Sequence, residues 1–169
     1  PNGFVRSLWV DKGPDGAPLV WIGNDAGLTR LHYGGFRRLV EGPKEFVSKK
    51  PTALAEWGQG SDRSYIIGVE NQLAVLSEKG WREVRLPDAN ADTVYSTAHS
   101  ANGLLLGTLD GRLFITKDLK TFVRVATPQH SVKNSIWSIR VEKSGADEVW
   151  WVGRRTSFER FDGKSWTVY

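Results

Sequence analysis

The chain has no cysteine and no methionine in its 169 residues. Without cysteine there are no disulfides, no zinc–thiolate sites and no thiol nucleophile. That absence is compatible with an oxidising compartment without requiring one. No apolar run approaches the roughly 20 residues that a helical membrane span needs. Blocks of like charge are missing too. The 23 Lys and Arg are interspersed with 19 Asp and Glu, for a net charge of +4. Nucleic-acid binders gather their basic residues on one face or helix, so this scatter argues against a nucleic-acid partner. Pro1-Asn2-Gly3 shows neither an initiator methionine nor a signal peptide, and the expectation is a chain cut from something longer.

Catalytic and metal motifs are also lacking. The three histidines, His32, His99 and His130, have none of the close spacing of a zinc site and read as surface or turn residues. There is no GxSxG elbow, no P-loop and no EF-hand pattern. No metal, no cofactor and no catalytic residue is therefore expected. Carboxylates from distant segments can still be brought together by folding. Asp25, Glu70 and Asp110 are such candidates, against the simpler reading that they serve turns or solvated loops.

What the chain does have is glycine (18) and tryptophan (8), a composition that suits short strands joined by tight turns. Aligning the chain on itself shows why. Val20-Trp21-Ile22-Gly23 recurs as Ile66-Ile67-Gly68, Leu105-Leu106-Gly107 and Trp151-Val152-Gly153, with glycine steps of 45, 39 and 46 residues. A further apolar strand follows each glycine: Leu28–Leu31, Leu73–Leu76, Leu113–Thr116 and Phe158–Phe161. An aromatic then opens a last strand, at Phe36, Trp81, Phe122 and Trp166, with steps of 45, 41 and 44. A first strand precedes each glycine, at Ser7–Val10, Thr52–Ala55, Thr93–Ser96 and Ser135–Ser138. Asp15-Gly16, Asn102-Gly103, Asp110-Gly111 and Asp162-Gly163 mark turns between them.

Four strands, A to D, repeating about every 40 to 45 residues are the pattern of a β-propeller. A helical solenoid is excluded by strand length and glycine density. A β-sandwich would not give sequence-similar quartets. The expected fold class is all-β: a propeller region over 1–169 of four consecutive four-stranded antiparallel blades, about 4–40, 52–86, 93–126 and 135–169. Neither end donates a strand to the other end's blade, so the blades are expected to form an arc of a larger ring. Closure of four blades, or the pairing of two arcs, are the alternatives. An open arc leaves apolar blade faces that favour self-association.

Blade middles should be buried on both faces, as Leu104–Leu106 and Val149–Val152 suggest. The repeated glycine is expected where strand B meets another segment closely. Trp21, Trp81, Trp151 and Trp166 recur in phase and are expected to pack rather than bind.

Ser135–Ile139, Val149-Trp150-Trp151-Val152-Gly153 and Phe161-Asp162-Gly163-Lys164-Ser165-Trp166-Thr167-Val168-Tyr169 together resemble the two-component regulator propeller repeat. The first copy is similar through Trp21-Ile22-Gly23 and Gly27–Leu31. Copy two departs at Glu70-Asn71-Gln72, which replaces a glycine. Copy three, at Thr116–Phe122, leans toward the Asp-box repeat of sialidase-like propellers. The resemblance implies the extracytoplasmic, periplasmic sensor of a bacterial membrane receptor. Its signalling output and any membrane attachment would lie in segments absent from this chain.

B–C loops and D-to-next-A linkers share one face of a propeller, and recognition concentrates on loops held by a rigid scaffold. The candidate ligand residues are Asn24, Asp25, Glu70, Asn71, Asp110, Arg112, Arg154 and Arg155. Arg154-Arg155 stands where the other copies carry acidic or amide residues, and adjacent guanidiniums suit a carboxylate, sulfate or phosphate. A neighbouring blade's acids would suit them equally well. The expected function is a sensing or interaction module for a small-molecule or carbohydrate ligand. A propeller lyase or hydrolase and a pure protein-interaction scaffold are the alternatives, since fold alone does not choose.

Overall fold

A computed structural model of the chain describes residues 4–13, 16–32, 35–38, 50–58, 62–87, 93–129, 134–144 and 147–169. Sixteen strands form four antiparallel four-stranded sheets, each in chain order, with no α-helix among the described residues. Blade 1 holds β1 Val5–Lys12, β2 Pro18–Asn24, β3 Gly27–His32 and β4 Gly35–Arg38. Blade 2 holds β5 Ala53–Trp57, β6 Ser64–Val69, β7 Gln72–Ser77 and β8 Gly80–Arg85. Blade 3 holds β9 Val94–Ser100, β10 Gly103–Thr108, β11 Leu113–Thr116 and β12 Phe122–Val125. Blade 4 holds β13 Ile136–Ser144, β14 Asp147–Arg154, β15 Phe158–Phe161 and β16 Trp166–Val168. Packing divides the chain into two compact units, 1–85 and 86–169, of two blades each.

Each unit has a core of its own between its two blades. In the first, Leu19, Trp21 and Leu28 of blade 1 pack on Leu54, Ile67, Val69 and Ala74 of blade 2. In the second, Leu105 and Leu113 of blade 3 pack on Ile136, Trp150 and Val152 of blade 4. Polar side chains also join blades 1 and 2. Asp11 accepts a hydrogen bond from the Tyr65 hydroxyl at 2.9 Å and pairs with Arg63, whose guanidinium also reaches Glu56.

The repeated glycine is a point of close approach. A Cβ on Gly107 would lie 2.5 Å from both Ser96 Oγ and Ile136 Cγ2, and one on Gly23 would meet Ser7 Oγ and the Pro51 carbonyl. The chain entering the next blade thus lies across the glycine. The serine opposite fixes it, because Ser7 Oγ donates to Pro51 O and Ser96 Oγ to Ile136 O, each at 3.4 Å. The register sets Ser7, Ser96 and Ser138 opposite Gly23, Gly107 and Gly153. This moves the equivalence of strand A from Thr93 and Ser135, suggested by sequence, to Ser96 and Ser138. A bulge beside each of these serines shifts the ladder by one residue, which sequence likeness could not reveal.

The tryptophans divide. Trp21 is buried in the first core, and Trp81 and Trp166 pack at the margins of the two cores. Trp151 is half-buried and lies outside both cores. It stacks on Phe158 with ring centroids 5.3 Å apart, and its indole donates to Glu142 at 3.0 Å. Its neighbour Trp150 takes the buried place, because successive side chains of a strand face opposite ways.

Candidate functional site

The eight candidate residues fall into two groups of four, one in each unit. In the first, the Asn24 side chain is buried and accepts from the Ala26 N–H at 2.8 Å, holding the β2–β3 turn. Asp25 pairs with Arg6 at 2.9 Å and accepts from the Phe4 N–H. Arg6 foremost holds its carboxyl below the usual range. Glu70 and Asn71 form the β6–β7 turn. Glu70 has φ +52°, the left-handed conformation that a glycine would adopt without strain. Asn24 thus holds its turn, Asp25 ties its turn to the start of blade 1, and Glu70 and Asn71 lie in the β6–β7 turn.

The second group contributes to a cleft of about 670 Å³ at the loop end of blades 3 and 4. Asp110 and Arg112 come from the β10–β11 turn, Arg124 from β12, Gln129 and Asn134 from the linker between blades, and Arg154 from the end of β14. Arg155 is exposed beside it, and its N–H donates to the Ser135 carbonyl at 3.0 Å. His99 is exposed; His130 and the side chain of His32 lie outside the described residues.

Arg154 organises the cleft. Its side chain is 99% buried, with 1% of its area exposed, and its Nε lies 2.7 Å from Glu159 Oε1. Nη1 donates to the Gly111 carbonyl at 2.8 Å and to the Asn134 carbonyl at 3.0 Å, tying the blade 3 turn to the linker. Gly111 makes room for this, since a Cβ there would lie 2.6 Å from Asn134 O and 3.3 Å from Arg154 Nη1. Nη2 has no hydrogen-bond partner among the described residues. Asn134 is buried too; its side chain donates to Ser157 Oγ and accepts from the Thr156 N–H.

The cleft also holds Asp110, paired with Arg112 at 3.1 Å and bonded by the Thr108 hydroxyl. Arg124 is exposed and makes no ion pair with a described residue. Three guanidiniums thus face two carboxylates, Asp110 and Glu159, leaving a cationic excess beside a carboxylate acceptor. Arg124, Gln129 and Asn134 were missed by the sequence reading, which considered B–C loops alone. The D-to-A linker shares that face and was the available signal for Gln129 and Asn134, whereas Arg124 lies on β12.

Comparison with known proteins places this geometry in a fold. No family model matches the chain, and no curated protein matches it. Sixty-two chains of solved structures do match. The extracellular domain of the one-component system BT4673 from B. thetaiotaomicron superposes over 99% of this chain and 21% of its own, at 16% identity and a TM-score of 0.67. BBS1N, solved in complex with ARL6DN, superposes over 99% of this chain and 57% of its own, at 13% identity and 0.67. The designed protein Ika4 superposes over the whole of this chain and 92% of its own, at 15% identity and 0.61. The chain has a β-propeller fold. It spans about a fifth of the BT4673 extracellular domain and just over half of BBS1N. At these identities the likeness is one of architecture.

Proposed function

We propose that this propeller chain is the ligand-binding part of an extracytoplasmic bacterial sensor, taking an anionic, hydroxylated ligand such as an acidic sugar in the blade 3–blade 4 cleft. The observation that carries the reading is the Arg154 guanidinium. It is buried, fixed by two carbonyls, and retains an unpartnered Nη2 beside a cleft that also presents Arg124. Its positive charge stands at the cleft wall, where it adds to the field that an incoming carboxylate meets. Arg112 and Arg124 add charge-assisted hydrogen bonds, Asp110 and Gln129 offer acceptors to hydroxyls, and the volume admits one or two sugar rings. The sensing role is supported by the repeat resemblance and by the architectural likeness to the BT4673 extracellular domain.

Calorimetric titration with a uronate disaccharide and its neutral counterpart tests the reading. Saturable binding of the acidic sugar is expected, weakening as salt rises. Arg124→Ala should weaken it by about tenfold, the loss of one charge-assisted bond, with the melting temperature unchanged. Equal affinity for both sugars, or full affinity in the variant, would remove the cleft from the proposal.

A further inference from the structure

The charges of the blade 3–blade 4 cleft fall into two closed pairs and one remainder. Asp110 and Arg112 make the first pair, at 3.1 Å, with the Asp110 side chain only 5% exposed. Arg154 and Glu159 make the second, at 2.7 Å, both buried. Each pair is neutral as a unit. Arg124 is the remainder, exposed on β12 and without an ion pair to a described residue. Among the described residues, no further Lys, Arg, Asp or Glu lines the cleft. The site therefore carries one uncompensated positive charge.

The two pairs are not oriented alike. Glu159 meets Arg154 at Nε, on the stem side of the guanidinium. Nη1 lies farther out, bonded to the carbonyls of Gly111 and Asn134, and both of those residues line the cleft. Arg154 lines it too, and Glu159 does not. The positive end of this pair is thus turned to the cleft and the negative end is withdrawn behind it. Asp110 is the reverse case, since it belongs to the wall itself. The Thr108 hydroxyl and Arg112 Nε hold its carboxylate. A space of about 670 Å³ is roughly 11 Å across, little more than the Debye length of roughly 8 Å at physiological salt. Every occupant of this cleft lies within reach of the Asp110 charge.

Granted an acidic sugar in this cleft, the reading on which this step rests, we infer that the site selects a ligand with a single negative charge, a monocarboxylate sugar acid. Asp110 is the residue that turns away dianions such as sugar phosphates. An ion's solvation rises with the square of its charge, whereas its attraction to one fixed cation rises only in proportion. Arg124 alone therefore offsets the desolvation of one charge better than that of two. A second charge finds Arg112 already tied to Asp110 and Arg154 to Glu159. What it meets is the Asp110 carboxylate, and repulsion of this kind is how a site rejects a near relative of its ligand. A hydroxyl in the same place meets Asp110 as a hydrogen-bond acceptor, which suits a sugar carrying one acid group.

Calorimetry with a uronate disaccharide, and with its counterpart carrying phosphate in place of the carboxylate, tests this. At about pH 8 the phosphate is doubly charged, its second pKa being about 6. The uronate should bind about tenfold more tightly, the order expected of one like-charge contact across the cleft. Asp110→Asn removes the repelling carboxylate, and Gln129→Lys adds a cation at an exposed linker residue of the wall. Each should raise phosphate affinity more than uronate affinity and so narrow the gap. Gln129 takes no part in the turn around Asp110, so its variant remains a test even where Asp110→Asn lowers the melting temperature. A phosphate that binds as tightly as the uronate overturns the single-charge selection and leaves the acidic-sugar reading standing. So does a preference that Gln129→Lys and a folded Asp110→Asn both leave unchanged. If the uronate itself fails to bind, the acidic-sugar reading falls and the selection falls with it.

Discussion

The cost of a single substitution here depends on whether the side chain faces a core or leaves one. Trp21 fills the first core at 4% exposure, so Trp21→Ala should cost about 3–5 kcal/mol. Trp151, in equivalent sequence phase, stacks on Phe158 outside the second core, and Trp151→Ala should cost nearer 1 kcal/mol. Urea denaturation of dilute protein separates the two values, and equal losses would mean that Trp151 is covered in solution. Arg154 and Glu159 are the other pair that decides at this scale, both fully buried and in contact at 2.7 Å. Glu159→Ala strands a buried guanidinium and should cost about 3–5 kcal/mol by the same measurement. Of the adjacent arginines singled out by sequence, then, the first is held between carbonyls and a carboxylate while the second stays exposed.

The blade elements owe their form to a few local rules. The β11–β12 and β15–β16 hairpins each turn on an aspartate. Asp118 accepts from the Lys120 and Thr121 N–H groups, and Asp162 from those of Lys164 and Ser165, at 2.7–2.9 Å. The first of these turns also sets Leu119 at φ +56° and buries it. The glycine of strand B is set by what crosses it rather than by its own backbone. Gly107→Ala should force Ile136 and Ser96 apart and cost about 1–3 kcal/mol. Thermal melting beside Gly163→Ala checks the cause, since the space around Gly163 is open and any loss there comes from its φ of +92°.

For the molecule as a whole, acid is the clearest stress. Asp11, Asp25, Asp118 and Asp162 all titrate below the ordinary 3.8. Arg6 is foremost for Asp25, and backbone N–H groups for Asp118 and Asp162. At Asp11 desolvation pulls upward, but hydrogen bonds from the Lys12 N–H, Tyr65 and Arg63 outweigh it. A carboxylate whose folded value is depressed contributes stability that is complete above its unfolded value and is lost as pH falls through the folded one. The urea midpoint should therefore hold above the unfolded value of 3.8 and decline steadily below it; a midpoint unchanged into strong acid would contradict these assignments. The sequence by itself determined the four blades, their strand order and their turns, because a repeat presents the same apolar phase and turn chemistry each time and strand pairing between chain neighbours is local. It marked Asp110, Arg112 and Arg154 from their loops. Only the tertiary structure decided that Asn24 holds the β2–β3 turn and Asp25 meets Arg6, that Arg124 and Asn134 join the cleft, and that Trp150 rather than Trp151 is the core residue. Which face of a blade meets its neighbour, and which carbonyl meets a guanidinium across a linker, are fixed by packing between segments far apart in sequence, and a pattern local to one repeat does not contain them.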